Sequence, residues 1–187
     1  MPKKVSKARA ALLLTPGASA TRDHSALVAV DTALTPEGVV VRRIDLPGNR
    51  IERAVTVVRQ AAAELAAEAG VAPERVFLGG RSYGGRACSM AVAEGLPAAG
   101  LVLISYPLHP PGRPNDARTA HLPELRAPCL FVSGTRDQFG TPAELEAATA
   151  AIPGSVTHVW IDGGNHGLRG KDAAVTDAVR TWLLGQL

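Results

Sequence analysis

Six short apolar runs punctuate the chain, at residues 10–14, 39–44, 75–78, 101–104, 129–132 and 156–161. Each is rich in Val, Leu and Ile and is mostly uninterrupted by polar residues, the pattern of strands covered on both faces. Between them the period changes. Residues 50–69 place Ile51, Val55, Val58, Ala62, Leu65 and Ala69 on one stripe and Glu52, Arg59, Glu64 and Glu68 off it, which predicts an amphipathic helix ended by Gly70 and Pro73. Residues 171–187 repeat that period with Val175, Ala178, Val179, Trp182 and Leu183, and residues 23–34, 84–94 and 142–151 fill the other gaps as helices. The stretch 107–128 carries six prolines and reads as loop, with at most a short helix near 119–125.

Strands alternating with helices imply right-handed crossovers and a sheet with helices on both sides. The expected architecture is a three-layer α/β/α sandwich with a six-stranded, mostly parallel sheet. It is expected to be one domain over residues 1–187, with residues 1–8 a flexible N-terminus. Ligands of such sheets bind at the carboxyl ends of the strands, near the point where strand order reverses.

Composition narrows the function classes. The chain has 187 residues, 46% hydrophobic and 20% charged, with a net charge of +3, ample for a core and too weakly charged for a disordered polyelectrolyte. Lys3-Lys4 and Arg42-Arg43 are the only adjacent basic pairs and no aromatic residues interleave with them, which disfavours nucleic acid as a partner. Two cysteines, Cys88 and Cys129, rule out a disulfide scaffold; both sit in apolar segments, read as buried thiols. The basic N-terminus is followed by an apolar stretch too short for a secretion signal, and no run approaches a membrane span. A cytoplasmic protein with no membrane partner is expected.

The strongest local signal follows the third run. Gly80-Arg81-Ser82-Tyr83-Gly84 is a G-x-S-x-G pentapeptide set between a strand and a helix. With 19 glycines and eight serines, such a match arises by chance about 0.08 times in a chain of this length. A sharp strand-to-helix turn forces its serine into a strained backbone and crowds the positions two before and two after it, hence glycine at both. A Gly-rich phosphate loop or a plain tight turn is the bland alternative.

A serine hydroxyl needs a base, and the base an orienting acid. His166, in Gly163-Gly164-Asn165-His166-Gly167, follows the last strand and is the favoured base; a loop histidine capping the last helix is the alternative. His158 lies within a strand, His24 opens a helix, and His109 and His121 flank the proline-rich loop, where they could line a substrate pocket. Asp137, after the fifth strand, is the favoured acid. Asp162 sits too close to His166, Asp116 lies in the proline-rich loop, and Thr141 is better placed than Asp137 to cap the next helix. The chain order Ser82, Asp137, His166 suits this assignment. Oxyanion donors are expected from the N–H of Tyr83, at a helix N-terminus, and from that of Ala18, with Ser19 nearly as well placed. Ser19, Arg81 and His109 are candidate substrate-binding residues. Arg81, Arg113 and Arg136 lie near predicted site loops and would favour an acidic acyl group, although solvated surface is the commoner role of such arginines.

The sharp turn Gly80-Arg81-Ser82-Tyr83-Gly84 (the elbow), Tyr106-Pro107-Leu108-His109-Pro110-Pro111-Gly112, the run Leu130 to Gly140 and Gly163-Gly164-Asn165-His166 together resemble a compact α/β-hydrolase of the dienelactone-hydrolase-like branch of predicted hydrolases. The resemblance implies Ser82 as nucleophile, Asp137 as acid and His166 as base, acting on a small ester or thioester as the acyl substrate. Against the family pattern, the first apolar run stands where the full fold has its third strand. Pro16 replaces the histidine that often precedes the oxyanion-loop glycine, and no insertion is long enough for a substantial lid. The alternative is a non-enzymatic or weakly active interaction module on the same scaffold; an acyltransferase using the same residues also stays open, as does a homodimer. No cofactor is expected. No metal site is expected either, since the histidines are scattered and the cysteines lack ligand spacing, and the first strand lacks a nucleotide-binding G-x-G-x-x-G.

Overall fold

In the computed structural model, which describes residues 8–48 and 50–187, the alternating pattern becomes eleven principal elements. They are β1 (Ala10–Thr15), α1 (Ser25–Leu34), β2 (Val39–Arg43), α2 (Ile51–Ala69), β3 (Val76–Arg81), α3 (Tyr83–Ala93), β4 (Gly100–Ile104), β5 (Cys129–Gly134), α4 (Pro142–Thr149), β6 (Val156–Ile161) and α5 (Asp172–Gly185). The proline-rich stretch contributes one short 3-10 turn, Leu122–Glu124. The expected flexible N-terminus lies outside the described residues, Ala8 apart.

All strand pairs are parallel, in the order β2-β1-β3-β4-β5-β6. Each interior strand splits its side chains between two cores, as the two-residue period of a strand dictates. Ala11, Leu13, Leu78, Leu101, Leu103 and Phe131 face α2, α3 and α4. Leu12, Leu14, Phe77, Val102, Ile104 and Leu130 face α1 and α5. This double covering explains the uninterrupted apolar runs of the sequence. Of the predicted stripe of the long helix, Val55, Val58, Ala62 and Leu65 are buried and Ile51 and Ala69 half-buried; Ala54, Ala61 and Ala66 join the buried face, and Gly70 ends the helix with a left-handed φ of 64°. No described helix is long and apolar enough to cross a membrane.

Strand order reverses between β1 and β3, its neighbour in the sheet. The loops leaving these two strands therefore open side by side at one rim, where a crevice for a ligand is expected.

Candidate active site

Ser82 sits between β3 and α3 with φ 50° and ψ −115°, a backbone conformation unfavourable for a side-chain-bearing residue. Its N–H donates to the Ile104 carbonyl at 2.8 Å, so β4 anchors the turn. The glycines around it are crowded, but chiefly by β1 and not by each other as the motif suggests. A Cβ on Gly80 would stand 2.2 Å from the Thr15 carbonyl oxygen and Oγ1; one on Gly84 would stand 2.4 Å from Thr15 Oγ1 and 2.5 Å from the Pro16 carbonyl. It is Gly85 that approaches Gly80, with its Cβ position 2.8 Å from the Gly80 carbonyl. Thr15 Oγ1 donates to Gly79 O at 2.9 Å, closing the seam between the two strand ends.

At the far side of the rim the loops after β5 and β6 clasp each other. The Thr135 and Arg136 N–H groups donate to the Ile161 and Gly164 carbonyls at 3.1 and 2.8 Å. Contact is so close that a Cβ on Gly134 would fall 2.1 Å from the Gly164 oxygen. The clasp sets His166 over Asp137. His166 Nδ1 lies 2.9 Å from Asp137 Oδ2 and 3.0 Å from Oδ1, and Asp137 Oδ1 also accepts from the Phe139 N–H at 2.8 Å. Asp137 is 2% exposed. A carboxylate facing Nδ1 fixes the proton there, which leaves Nε2 as the acceptor. Nε2 is 2.8 Å from Ser82 Oγ. Serine, histidine and aspartate, 84 and 29 residues apart, thus form one continuous chain of hydrogen bonds.

Two further groups hold the imidazole. The Phe139 ring stacks on it with centroids 3.9 Å apart. Arg81 donates to the His166 carbonyl at 2.7 Å, and burial lowers the pKa of its guanidinium, opposed by the charge of Asp137. Arg81, expected from the sequence to bind substrate, lines the cavity in front of Ser82, and its guanidinium also ties the histidine loop to the elbow.

The crevice in front of Ser82 is an open cavity of about 700 Å³. Ala18 and Ser19 line it, both exposed, while the Ala20 N–H is used by Gly17 O at 3.1 Å. Tyr83 opens α3, so its N–H has no helical acceptor, and its hydroxyl donates to the Pro47 carbonyl at 2.9 Å. His109, expected to line a substrate pocket, is instead buried and does not line the cavity. Its Nδ1 lies 2.8 Å from Pro110 O and its Nε2 3.5 Å from the Glu144 carboxylate, because the loop after β4 turns it toward α4. His121 also turns away, 2.8 Å from Ser89 Oγ, and His158 lies beside Thr149 at 2.9 Å. Thr141 caps α4 in a capping box with Glu144, leaving Asp137 free for His166.

Lining residues that had no role in the sequence expectations include Phe139, Pro107, Arg50, Arg86 and Arg118. Arg86 was findable, four positions after Ser82 on the same helical face. Arg118 carried no signal, since its loop has no periodicity. Among the described residues no cluster of His, Cys, Asp and Glu is arranged to hold a metal ion.

Residues 8–181 match the family model of the alpha/beta hydrolase domain. The chain belongs to the alpha/beta hydrolase family. Solved structures of this family share its fold. Est1E from Butyrivibrio proteoclasticus superposes with a TM-score of 0.80 at 20% identity, over 100% of this chain and 91% of that one. Dienelactone hydrolase from Anabaena variabilis gives 0.78 at 22% identity, over 96% and 88%. The esterase domain of a Rhodothermus marinus protein gives 0.74 at 17%, over 98% and 89%. The alpha/beta hydrolase fold here is a compact version with no large lid among the described residues, and its family supports a hydrolase.

Proposed function

We propose that the protein is a serine hydrolase that cleaves a small carboxylic ester or thioester through an acyl-enzyme on Ser82. The observation that carries this reading is the unbroken relay of Ser82 Oγ, His166 and Asp137 at 2.8 and 2.9 Å, opening on a cavity at the strand-order reversal. His166 Nε2 takes the Ser82 proton as Oγ bonds to the acyl carbon, and Asp137 stabilises the imidazolium that forms. The oxyanion is received by the N–H of Tyr83, at the positive end of α3, and by that of Ala18. The tetrahedral adduct collapses as the bond to the alcohol or thiol breaks and His166 returns the proton to it. Water deprotonated by His166 then attacks the acyl-enzyme and frees the acid and Ser82.

The strained Ser82 backbone supports the same reading, because it presents Oγ above the sheet at a cost the rest of the elbow must offset. Turnover of 4-nitrophenyl acetate and labelling by a fluorophosphonate test it. Ser82→Ala should lower kcat/KM by several orders of magnitude, roughly 10⁴-fold or more, with the fold intact. A folded wild-type protein that neither turns over the ester nor takes up the probe would instead be a scaffold.

A further inference from the structure

Six arginines of the described chain are half-buried: Arg42, Arg43, Arg59, Arg81, Arg86 and Arg118. Arg42 pairs with Glu64 and Glu68, Arg43 with Asp23 and Asp31, and Arg59 with Glu94. Arg81 lines the cavity and donates to the His166 carbonyl; it has no carboxylate within 4 Å, and its Nε is buried without an acceptor among the described residues. Arg86 and Arg118 have no carboxylate within 4 Å, although every Asp and Glu of the chain lies among the described residues. Both line the cavity in front of Ser82, and Arg86 Nε is buried with no acceptor among the described residues. A buried guanidinium N–H without a partner is costly, and such a group persists most readily where a ligand completes it.

Their positions are fixed. Arg86 lies one turn after Ser82 on α3, its N–H donating to Ser82 O at 3.0 Å. Helical side chains lean toward the N-terminus, which carries Arg86 toward the cavity mouth. The Arg118 backbone is held on both sides: its N–H donates to Leu108 O at 2.7 Å and its carbonyl accepts from the Tyr106 hydroxyl at 2.8 Å. The two charges repel. The guanidinium of Arg118 has its pKa lowered first by burial and then by Arg86. Glu52, an exposed residue, is the lone carboxylate among the lining groups and forms no ion pair with either, and Arg50, also exposed, adds a further positive charge to the rim. Of the arginines expected from the sequence to favour an acidic group, Arg81 lines the cavity while donating to the His166 carbonyl, Arg113 is exposed and pairs with Asp116 at 3.4 Å, and Arg136 is exposed outside the cavity.

We propose that Arg86 and Arg118 form an anion subsite, so that the substrate is an ester or thioester carrying a second, carboxylate group beside the bond cleaved. This rests on the hydrolase reading above and narrows it to a substrate class. Guanidinium forks match a carboxylate in geometry, and an open rim lets the anion enter with its hydration shed only at the arginines.

The test compares mono-(4-nitrophenyl) adipate, with its carboxylate on the acyl side, 5-acetoxy-2-nitrobenzoate, with it on the leaving group, and the neutral 4-nitrophenyl hexanoate and acetate. Wild-type kcat/KM should favour one anionic ester over its neutral counterpart, less so as salt is raised. Arg118→Met and Arg86→Met should each cut that anionic-to-neutral ratio about tenfold or more. The ester that shows the effect tells which side bears the anion. A wild type without preference, or variants that lower both esters in step, would overturn the subsite while leaving the hydrolase reading intact. If no ester is cleaved, calorimetry with Ser82→Ala and monomethyl adipate still decides. Binding weakened tenfold by Arg118→Met supports the subsite, and no binding overturns it.

Discussion

Gly80→Ala tests whether the elbow glycine is demanded by packing. Gly80 does not have a positive φ, so alanine is acceptable to its backbone. The obstacle is β1: the new methyl would stand 2.2 Å from the Thr15 carbonyl oxygen and Oγ1. An ordinary contact needs a displacement of about 1 Å between two strands that are both interior to the sheet. Overpacking of this kind costs about 1–3 kcal/mol. Moving Thr15 also breaks its buried hydrogen bond to Gly79 O, worth about 1–2 kcal/mol more. A loss of about 2–5 kcal/mol is expected, read as a fall of about 1–2 M in the urea midpoint. Ser82 lies two residues downstream, so the same shift should misplace Oγ against His166 and cost roughly 100-fold in kcat/KM on the folded fraction. Gly185→Ala is the control, because a Cβ there meets nothing within 4 Å, and it should be neutral or stabilising by up to about 1 kcal/mol. A Gly80→Ala protein within 0.5 kcal/mol of wild type, with unchanged ester turnover, would refute the packing account.

Asp137→Asn should keep the fold and lower kcat/KM for 4-nitrophenyl acetate by about 10³–10⁴-fold, since an amide in place of the carboxylate no longer fixes the Nδ1–H tautomer. Stability should fall as pH drops from 6.5 to 4. Burial and the nearby Arg86 charge push His121 down to about 4, so across that window the unfolded chain binds a proton that the folded one refuses. His24 and His158, both lowered mainly by burial, act in the same direction. Urea unfolding at several pH values should show a shallower dependence in His121→Gln than in wild type, and an unchanged slope would contradict this cause. Burial raises the thiols of Cys88 and Cys129 to about 12, so Ellman's reagent at pH 8 should find both only after unfolding. A fast-reacting thiol in the native protein would contradict their burial.

Much of this molecule is written in local pattern. Continuous apolar runs mark strands that helices cover twice, so β1, β3, β4 and β5 were legible from period and composition alone. The stripe of α2 fixed its buried face, and Gly70 its end. Ser82 was legible because a strand-to-helix turn places a chemical demand on five consecutive residues. Asp137 and His166 could be nominated because each follows a strand, and the carboxyl ends of parallel strands share one rim.

What the sequence left open depends on contacts between distant segments. That Gly80 and Gly84 are crowded by Thr15, and not by each other, follows from β1 being the neighbour of β3 in the sheet. His109 looks like a pocket residue along the chain, yet the course of the loop after β4 buries it against α4. Phe139 and Arg118 come from irregular loops, where no period tells which way a side chain turns. Whether an arginine keeps a carboxylate partner is decided only when every acidic group has been placed. Period and turn chemistry act over a few residues and can be read one segment at a time; the company a side chain keeps is a property of the closed fold.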